Sequence, residues 1–337
     1  MAKMMRAVQV SKPGGAFELV ERELPEPAPN QIRVQVEACG ICHSDALVKM
    51  GAYPGLKLPR VPGHEIAGRV DKVGANVTQW KRGDRAGVGW HGGHCFVCNA
   101  CRKGLFLNCE RAQVTGISFD GGYAEYVVVS HEAAARIPEK LDAKDAAPLL
   151  CAGITTYNAL RNSGARPGDT VAVQGIGGLG HLAIQFAAQM GFRTVAVSRG
   201  ADKRELAQQL GAHEYVDTAD GAAAAGLQEL GGADLVLATA PNSEAIAGTV
   251  EGLKPRGKLL IVAAPFEPLK LSALTLLSGK SIAGWPSGSS IDSEETMAFS
   301  VLTGVRPRIE VFKLEQAEQA FGKMMENRVR FRAVLTP

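Results

Sequence analysis

After Gly168 short apolar runs alternate with helical ones: TVAVQG, HLAIQFAAQMG, TVAVS, DKRELAQQLGA, EYVD, ADLVLATA, SEAIAGTVEGL and GKLLIVAA. Strand and helix repeating in this way predict a parallel sheet covered by helices on both faces. SIAGWP adds a last strand. GIGGLG, from Gly175 to Gly180, leaves the first of these strands and enters the first helix, the context that gives G-x-G-x-x-G its meaning. Gly175 permits the tight turn and Gly177 the approach of backbone to a pyrophosphate. Gly180 permits close packing of helix on strand, and Gly178 belongs to the same cradle. The helix N-terminus stabilises the anion. A flexible glycine loop is the competing explanation of the motif.

The half before this differs in texture. From about Arg6 to Pro148, alternating runs such as IRVQVEA (Ile32 to Ala38) and YAEYVVV (Tyr123 to Val129) are separated by Gly and Pro turns, which reads as antiparallel β with long loops. With 337 residues, 46% of them hydrophobic and 21% charged, the chain has the size and balance of a two-domain globular protein. A formal net charge of +3 without any basic block excludes the electrostatic footprint of a nucleic-acid or membrane-surface binder. No apolar run approaches the ~18 residues of a membrane span, and the N-terminus has no apolar signal core. The expected location is the cytoplasm.

Cytosolic thiols stay reduced, so a cysteine cluster there more often binds metal or does catalysis than forms disulfides. Cys95, Cys98, Cys101 and Cys109 follow C-x2-C-x2-C-x7-C. That spacing lets four thiolates converge on a tetrahedral Zn²⁺ with no position left open, a structural cage; a redox pair or a vestigial loop is the alternative. CGICHSD contributes Cys42, His43, Ser44 and Asp45, PGHE contributes His64 and Glu65, and LLCAGITTY contributes Cys151 and Thr155. Taken singly, such residues are more often buried structural groups than functional ones.

Together, CGICHSD, GHEIAGRVDKVGANV, the four-cysteine lobe, CAGITTY and GIGGLG, in this order and at these spacings, resemble the zinc-dependent medium-chain alcohol dehydrogenases over essentially the whole chain. The resemblance implies an α/β protein with a GroES-like antiparallel β catalytic domain over 1–150, including a structural-zinc lobe at 94–110. A Rossmann doubly wound parallel sheet over 151–287 follows, then a return to the catalytic domain over 288–337. It further implies a catalytic Zn²⁺ held by Cys42, His64 and Cys151, so that two zinc ions bind per subunit. Two thiolates formally neutralise the catalytic ion, leaving a Lewis acid strong enough to acidify an alcohol yet not to hold back its hydride.

By the same resemblance, Ser44 takes the proton of the reacting hydroxyl and Asp45 holds the second nitrogen of His64. Glu65 lies behind the metal, either as an exchanging ligand or as a buried structural carboxylate. His43 and Arg332 match positions at the cofactor pyrophosphate, and Thr155 one packed on the nicotinamide. One departure stands out: where several family members carry a histidine that ends the proton relay, this chain has Leu47. The proton must then leave through the ribose hydroxyls to solvent or through His43, or the relay is less effective, and alcohol oxidation should depend on pH more steeply than aldehyde reduction.

The end of the second Rossmann strand bears on the choice of nicotinamide cofactor, because an NAD enzyme typically offers an acidic residue there. Here TVAVSRGADKRE places Ser198 and Arg199, with Lys203 or Arg204 adding charge. A hydroxyl and a guanidinium fork suit a 2′-phosphate, so NADP is favoured and NAD remains usable if Arg199 only stacks on adenine. Tyr53, Trp90 and Trp285 fall where an apolar substrate pocket would have walls, fit for primary alcohols or aromatic aldehydes; each is equally explained as core. The expected activity is therefore reversible hydride transfer between a small or aromatic primary alcohol, or its aldehyde, and NAD(P). A cinnamyl-alcohol- or polyol-type zinc dehydrogenase is the alternative, and a non-catalytic zinc-stabilised nucleotide-binding scaffold is a distant one. The family resemblance implies a homodimer or homotetramer. Cys39, the remaining thiol, is expected to be a buried packing residue.

Overall fold

The structure, a computed structural model, describes residues 3–219, 221–263 and 265–337. The last residue of the stretch GKLLIVAA, Ala264, lies outside the described residues, as do Met1, Ala2 and Asp220. The chain divides into two compact units, Met1–Cys151 with Gly288–Pro337, and Ala152–Ser287. Among the described residues no helix is long and apolar enough to cross a membrane.

The second unit contains a six-stranded parallel sheet. Its spatial order is Glu214–Asp217, Arg193–Ser198, Thr170–Gln174, Ala233–Ala238, Leu253–Ile261 and Ser281–Gly284. In chain order this is 3-2-1-4-5-6, so the direction of winding reverses beside the first strand, where ligands of doubly wound folds bind. Every residue of Thr170–Gln174 is buried, as a central strand covered on both faces must be. Helix Gly180–Gln189 follows that strand through the glycine loop. One element lacked a sequence signal: the helix Ala223–Glu229 forms from an alanine run broken by Gly226, where no polar face marks the period.

In the first unit a seven-stranded sheet centres on Gln31–Gly40, which pairs with Ile66–Val73, Tyr126–Ser130 and Arg332–Thr336. Its strands are mainly antiparallel, with a parallel exception between Ile309–Lys313 and Arg332–Thr336. Thus the C-terminal segment supplies strands to the N-terminal sheet. The strand expected from Tyr123 begins only at Tyr126. Ala124 instead bridges Ala7, and the Tyr123 carbonyl accepts from the Val8 amide at 2.7 Å, so Tyr123–Glu125 turn away to seal the first hairpin. Ile32, Val34, Ile66, Tyr123 and Leu335 form part of one core with the N-terminal strand. Its lower end carries the loop that begins at Ile41.

Candidate metal centre and dinucleotide loop

Strand Gln31–Gly40 ends two residues before Cys42, and Ile66–Val73 starts directly after His64 and Glu65. Because Cys39 pairs with Ile66 across these antiparallel strands, the two loops emerge side by side. Cys151 arrives separately, in a π-helical turn over Leu149–Gly153, a local widening often found where a helix must re-aim a functional side chain. One ligand atom each from Cys42, His64, Glu65 and Cys151 lies within 4.8 Å of the others. The Cys42 and Cys151 sulfurs are 3.7 Å apart, far beyond the ~2.05 Å of a disulfide.

Around these atoms the polar groups are arranged in pairs. Ser44 Oγ donates to Cys42 Sγ at 3.1 Å and lies 3.5 Å from His64 Nε2. His64 Nδ1 faces Asp45 Oδ1 at 3.2 Å. Asp45 Oδ2 accepts from the Cys42 amide and from the Tyr123 hydroxyl, each at 2.8 Å. Glu65 is fully buried and paired with Arg332, which also donates to the Ile41 carbonyl at 3.0 Å. Its other oxygen, Oε2, is buried without a hydrogen-bond partner among the described residues. Gly40 makes room for it, since a Cβ there would stand 1.9 Å from Oε2.

The charges show what this arrangement suits. Burial pushes the Glu65 carboxyl up to about 8, against the pull of Arg332. Cys42 is held well below the ordinary thiol range, first by its bond to Cys151, while Cys151 is driven well above it by that same bond and by burial. Burial would lower the His64 imidazole, yet Asp45 and Cys42 together raise it. Two close thiols, an imidazole and an orphaned carboxylate oxygen form a largely soft N/S donor set, which suits a zinc-type divalent cation. The imidazole–carboxylate pair is the usual outer support of such a ligand.

The second cysteine group is equally compact: Cys95, Cys98, Cys101 and Cys109 bring their sulfurs within 4.8 Å of one another. None is in a disulfide, and the separations of 4.0 Å for Cys95–Cys101 and 3.9 Å for Cys98–Cys109 exclude one. Backbone amides point at the sulfurs, Cys98 N to Cys95 at 3.4 Å, Cys101 N to Cys98 at 3.5 Å, and Cys95 N and Arg111 N to Cys109 at 3.3 Å. Such bonds favour thiolate, and amides of Cys98 and Val97 lower the Cys95 thiol to about 6, whereas desolvation raises Cys101 to about 12. Four thiols with amide support fit a closed four-thiolate metal cage.

In the second unit the three motif glycines differ in their surroundings. Gly175 has φ +93°, and a Cβ on it would press on Ala240 at 2.6 Å. At Gly180 a Cβ would fall 1.9 Å from the Gly175 carbonyl oxygen, so helix and turn are in direct backbone contact. At Gly177 nothing lies within 4 Å. The first and third are filled by protein and the second faces open space, the distribution a pyrophosphate cradle requires. Ser198 ends its strand buried and Arg199 is exposed beside it. Lys203 lies in the turn Ala201–Lys203, and the Arg204 guanidinium stands 4.8 Å from the Tyr215 ring centre. The carboxylate of Asp217, opposite Ser198, was not singled out in the sequence; it accepts from the amides of Gly200 at 2.8 Å and Ala219 at 2.9 Å, so it orders the turn that carries Arg199.

Other expected residues fall less evenly. Trp90 meets His64 edge-on at 5.0 Å and Tyr53 at 6.4 Å, and both aromatics pack on Val48, Val114 and Ile117. They form an apolar wall beside the ligand cluster. Trp285 belongs to the second unit, where its indole donates to the Ser287 carbonyl at 2.9 Å. Thr155 is buried in helix Ile154–Arg161 of that unit. His43 is exposed, and Leu47 is half-buried on the short helix Asp45–Lys49. Arg332, expected at a pyrophosphate, is buried and directs its guanidinium to Glu65, because a carboxylate behind two thiols needs a cation. Cys39 is fully buried in the core. Among residues without a sequence signal, Tyr123 and Gly40 touch the site's carboxylates.

Comparison with known proteins assigns the family. The model of the alcohol dehydrogenase GroES-like domain matches residues 28–139, and that of the zinc-binding dehydrogenases matches residues 178–301. The chain is 49% identical to alcohol dehydrogenase patD of Penicillium expansum over 323 residues, 96% of this chain and 95% of that protein. It is 38% identical to an alcohol dehydrogenase of Geobacillus stearothermophilus over 334 residues, 98% and 99% of the two chains. Among solved structures, a cinnamyl alcohol dehydrogenase of Sorghum bicolor superposes with a TM-score of 0.91 at 32% identity, covering 99% of this chain and 98% of that one. Similarity of this depth along nearly the whole length makes the chain an alcohol oxidoreductase and a member of the zinc-dependent medium-chain alcohol dehydrogenase family.

Proposed function

We propose that the chain catalyses reversible hydride transfer between a small or aromatic primary alcohol, or its aldehyde, and a nicotinamide cofactor, with NADP preferred over NAD. The observation that carries this reading is the convergence of the buried Cys42 and His64 with the half-buried Cys151 beside an aromatic wall. These three residues would hold a catalytic zinc with Glu65 behind it, and Cys95, Cys98, Cys101 and Cys109 a structural one. Bound there, zinc supplies Lewis-acid polarisation of the substrate oxygen.

The chain's own groups do the rest. Ser44 is half-buried and 3.1 Å from the Cys42 sulfur, which suits its hydroxyl to receive the substrate's proton. With Leu47 downstream, that proton continues through the ribose hydroxyls or through His43. Asp45 keeps the His64 ring oriented by taking its Nδ1 side. Tyr53 and Trp90 exclude water from the reacting carbon. The open face at Gly177 receives the pyrophosphate, and Thr155 packs on the nicotinamide; His43 and Arg332 are assigned to the pyrophosphate on the family resemblance alone, since the Arg332 guanidinium is directed to Glu65. Ser198, Arg199 and Lys203 favour a 2′-phosphate because the strand ends in a serine followed by an arginine, and Asp217 is occupied by backbone amides. Assembly as a homodimer or homotetramer rests on the family resemblance.

A panel of aliphatic, benzylic, cinnamyl and polyol substrates assayed with each cofactor tests this. The expected result is a higher kcat/KM for small or aromatic primary alcohols and aldehydes with NADP, and a clear NAD preference overturns the cofactor assignment. A preference for cinnamyl substrates would move the chain toward the activity named for its sorghum neighbour. Changing Cys42, His64 or Cys151 to Ala should lower kcat by about 1,000-fold or more while cofactor binding survives; near-normal turnover refutes the ligand set.

A further inference from the structure

We infer that Tyr123 is a positioning residue for the catalytic metal, acting through Asp45 on two of the ligands at once. The inference rests on the reading of Cys42, His64 and Cys151 as a zinc site. Asp45 is a junction. Its Oδ1 faces the His64 ring and its Oδ2 accepts from the Cys42 amide, so a single carboxylate fixes both the imidazole plane and the backbone that aims a thiolate. A carboxylate with only those two contacts could still rotate about its Cα–Cβ bond. The Tyr123 hydroxyl closes that freedom by donating to Oδ2 at 2.8 Å.

The phenol is itself immobile. Tyr123 is fully buried, and its ring meets Phe17 edge-on at 5.9 Å. Its Cδ1 would stand 2.4 Å from a Cβ on Gly63, the residue before His64. The ring therefore packs on the backbone of one ligand loop while its hydroxyl reaches the carboxylate that orients that ligand. With Oδ2 engaged by the Tyr123 hydroxyl and the Cys42 amide, Oδ1 stays turned to the Nδ1 side of His64. Without the hydroxyl, Asp45 is freer to turn, and His64 is a less well-aimed ligand.

Tyr123→Phe keeps the ring and removes only the hydroxyl. In the cobalt(II)-loaded full-length protein, four-thiolate and two-thiolate sites absorb differently, so loss of each ion to a chelator can be followed separately. Tyr123→Phe should release the ion of the Cys42–His64–Cys151 site about tenfold faster and shift its bands, with release from the four-cysteine lobe unchanged. In an Asp45→Asn background the same substitution should add no further effect. Equal acceleration at both sites means a general loss of stability, and no change at either means that the hydroxyl does not position the site; each overturns the inference. If the unaltered protein shows only the four-thiolate bands, the zinc reading fails with it, and that result is distinct from the other two.

Discussion

At Gly177 the place a Cβ would take is empty to 4 Å, whereas at Gly180 it lies 1.9 Å from a backbone oxygen. The same added methyl should therefore act on different properties at the two positions. Gly180→Ala must force helix and turn apart, which at ordinary overpacking costs removes about 1–3 kcal/mol and lowers Tm by several degrees. Gly177→Ala should leave Tm unchanged and weaken NADPH binding by about tenfold, because its methyl occupies the approach of the pyrophosphate. Thermal melts and fluorescence titration separate the two, and a Gly177→Ala protein that binds NADPH normally argues against the cradle. The glycines were legible in sequence because a motif reports local backbone geometry. So were Cys42, His64 and Cys151, although only the family pattern joined three positions so far apart in the chain. Tyr123 and Gly40 were not, since their contacts with Asp45 and Glu65 arise from the pairing of strands that meet only after folding.

On the scale of elements, the alternation after Gly168 announced the strands of the parallel sheet, since a central strand such as Thr170–Gln174 is buried and apolar along most of its length. Several helices and turns escaped, among them Ser290–Thr303 and Ala317–Met325. The helix Ala223–Glu229 has too little polar contrast to show a period, and the π-helical turn at Leu149–Gly153 is a backbone adjustment that side-chain pattern does not encode. The four-cysteine lobe is the opposite case, where spacing alone was informative. Its helix Asn99–Arg102 spans a single turn, and Phe96, Val97 and Leu105 around it are exposed. With so little apolar burial, the lobe must owe its order to the four sulfurs and the amides aimed at them. Cys98→Ser should reduce bound zinc by about one ion per chain and speed amide hydrogen exchange across residues 94–110. It should also lower Tm by several degrees and change kcat less than about twofold. A lobe that stays protected without its metal would show that packing, not ligation, holds it.

At the scale of the whole molecule, both donor clusters lie in the unit Met1–Cys151 with Gly288–Pro337, and the glycine loop lies in Ala152–Ser287. Each unit has its own core: the sheet around Gln31–Gly40 in one and the six parallel strands in the other. Chemistry and cofactor binding should therefore be separable by treatments that act on metal alone. Without the cation, the close thiols of Cys42 and Cys151 and the buried Glu65 carboxylate keep shared or added protons in its place, and nothing remains to polarise a substrate oxygen. No group of the glycine loop depends on that exchange: Gly175 and Gly180 are held by contacts to Thr239, Ala240 and each other. Dialysis against a chelator should lower turnover to below about 1% while the Kd for NADPH changes less than about twofold. Readdition of zinc should restore the rate. If the Kd rises in step with the loss of turnover, the metal orders the cofactor loop as well, and the division of labour between the units is wrong.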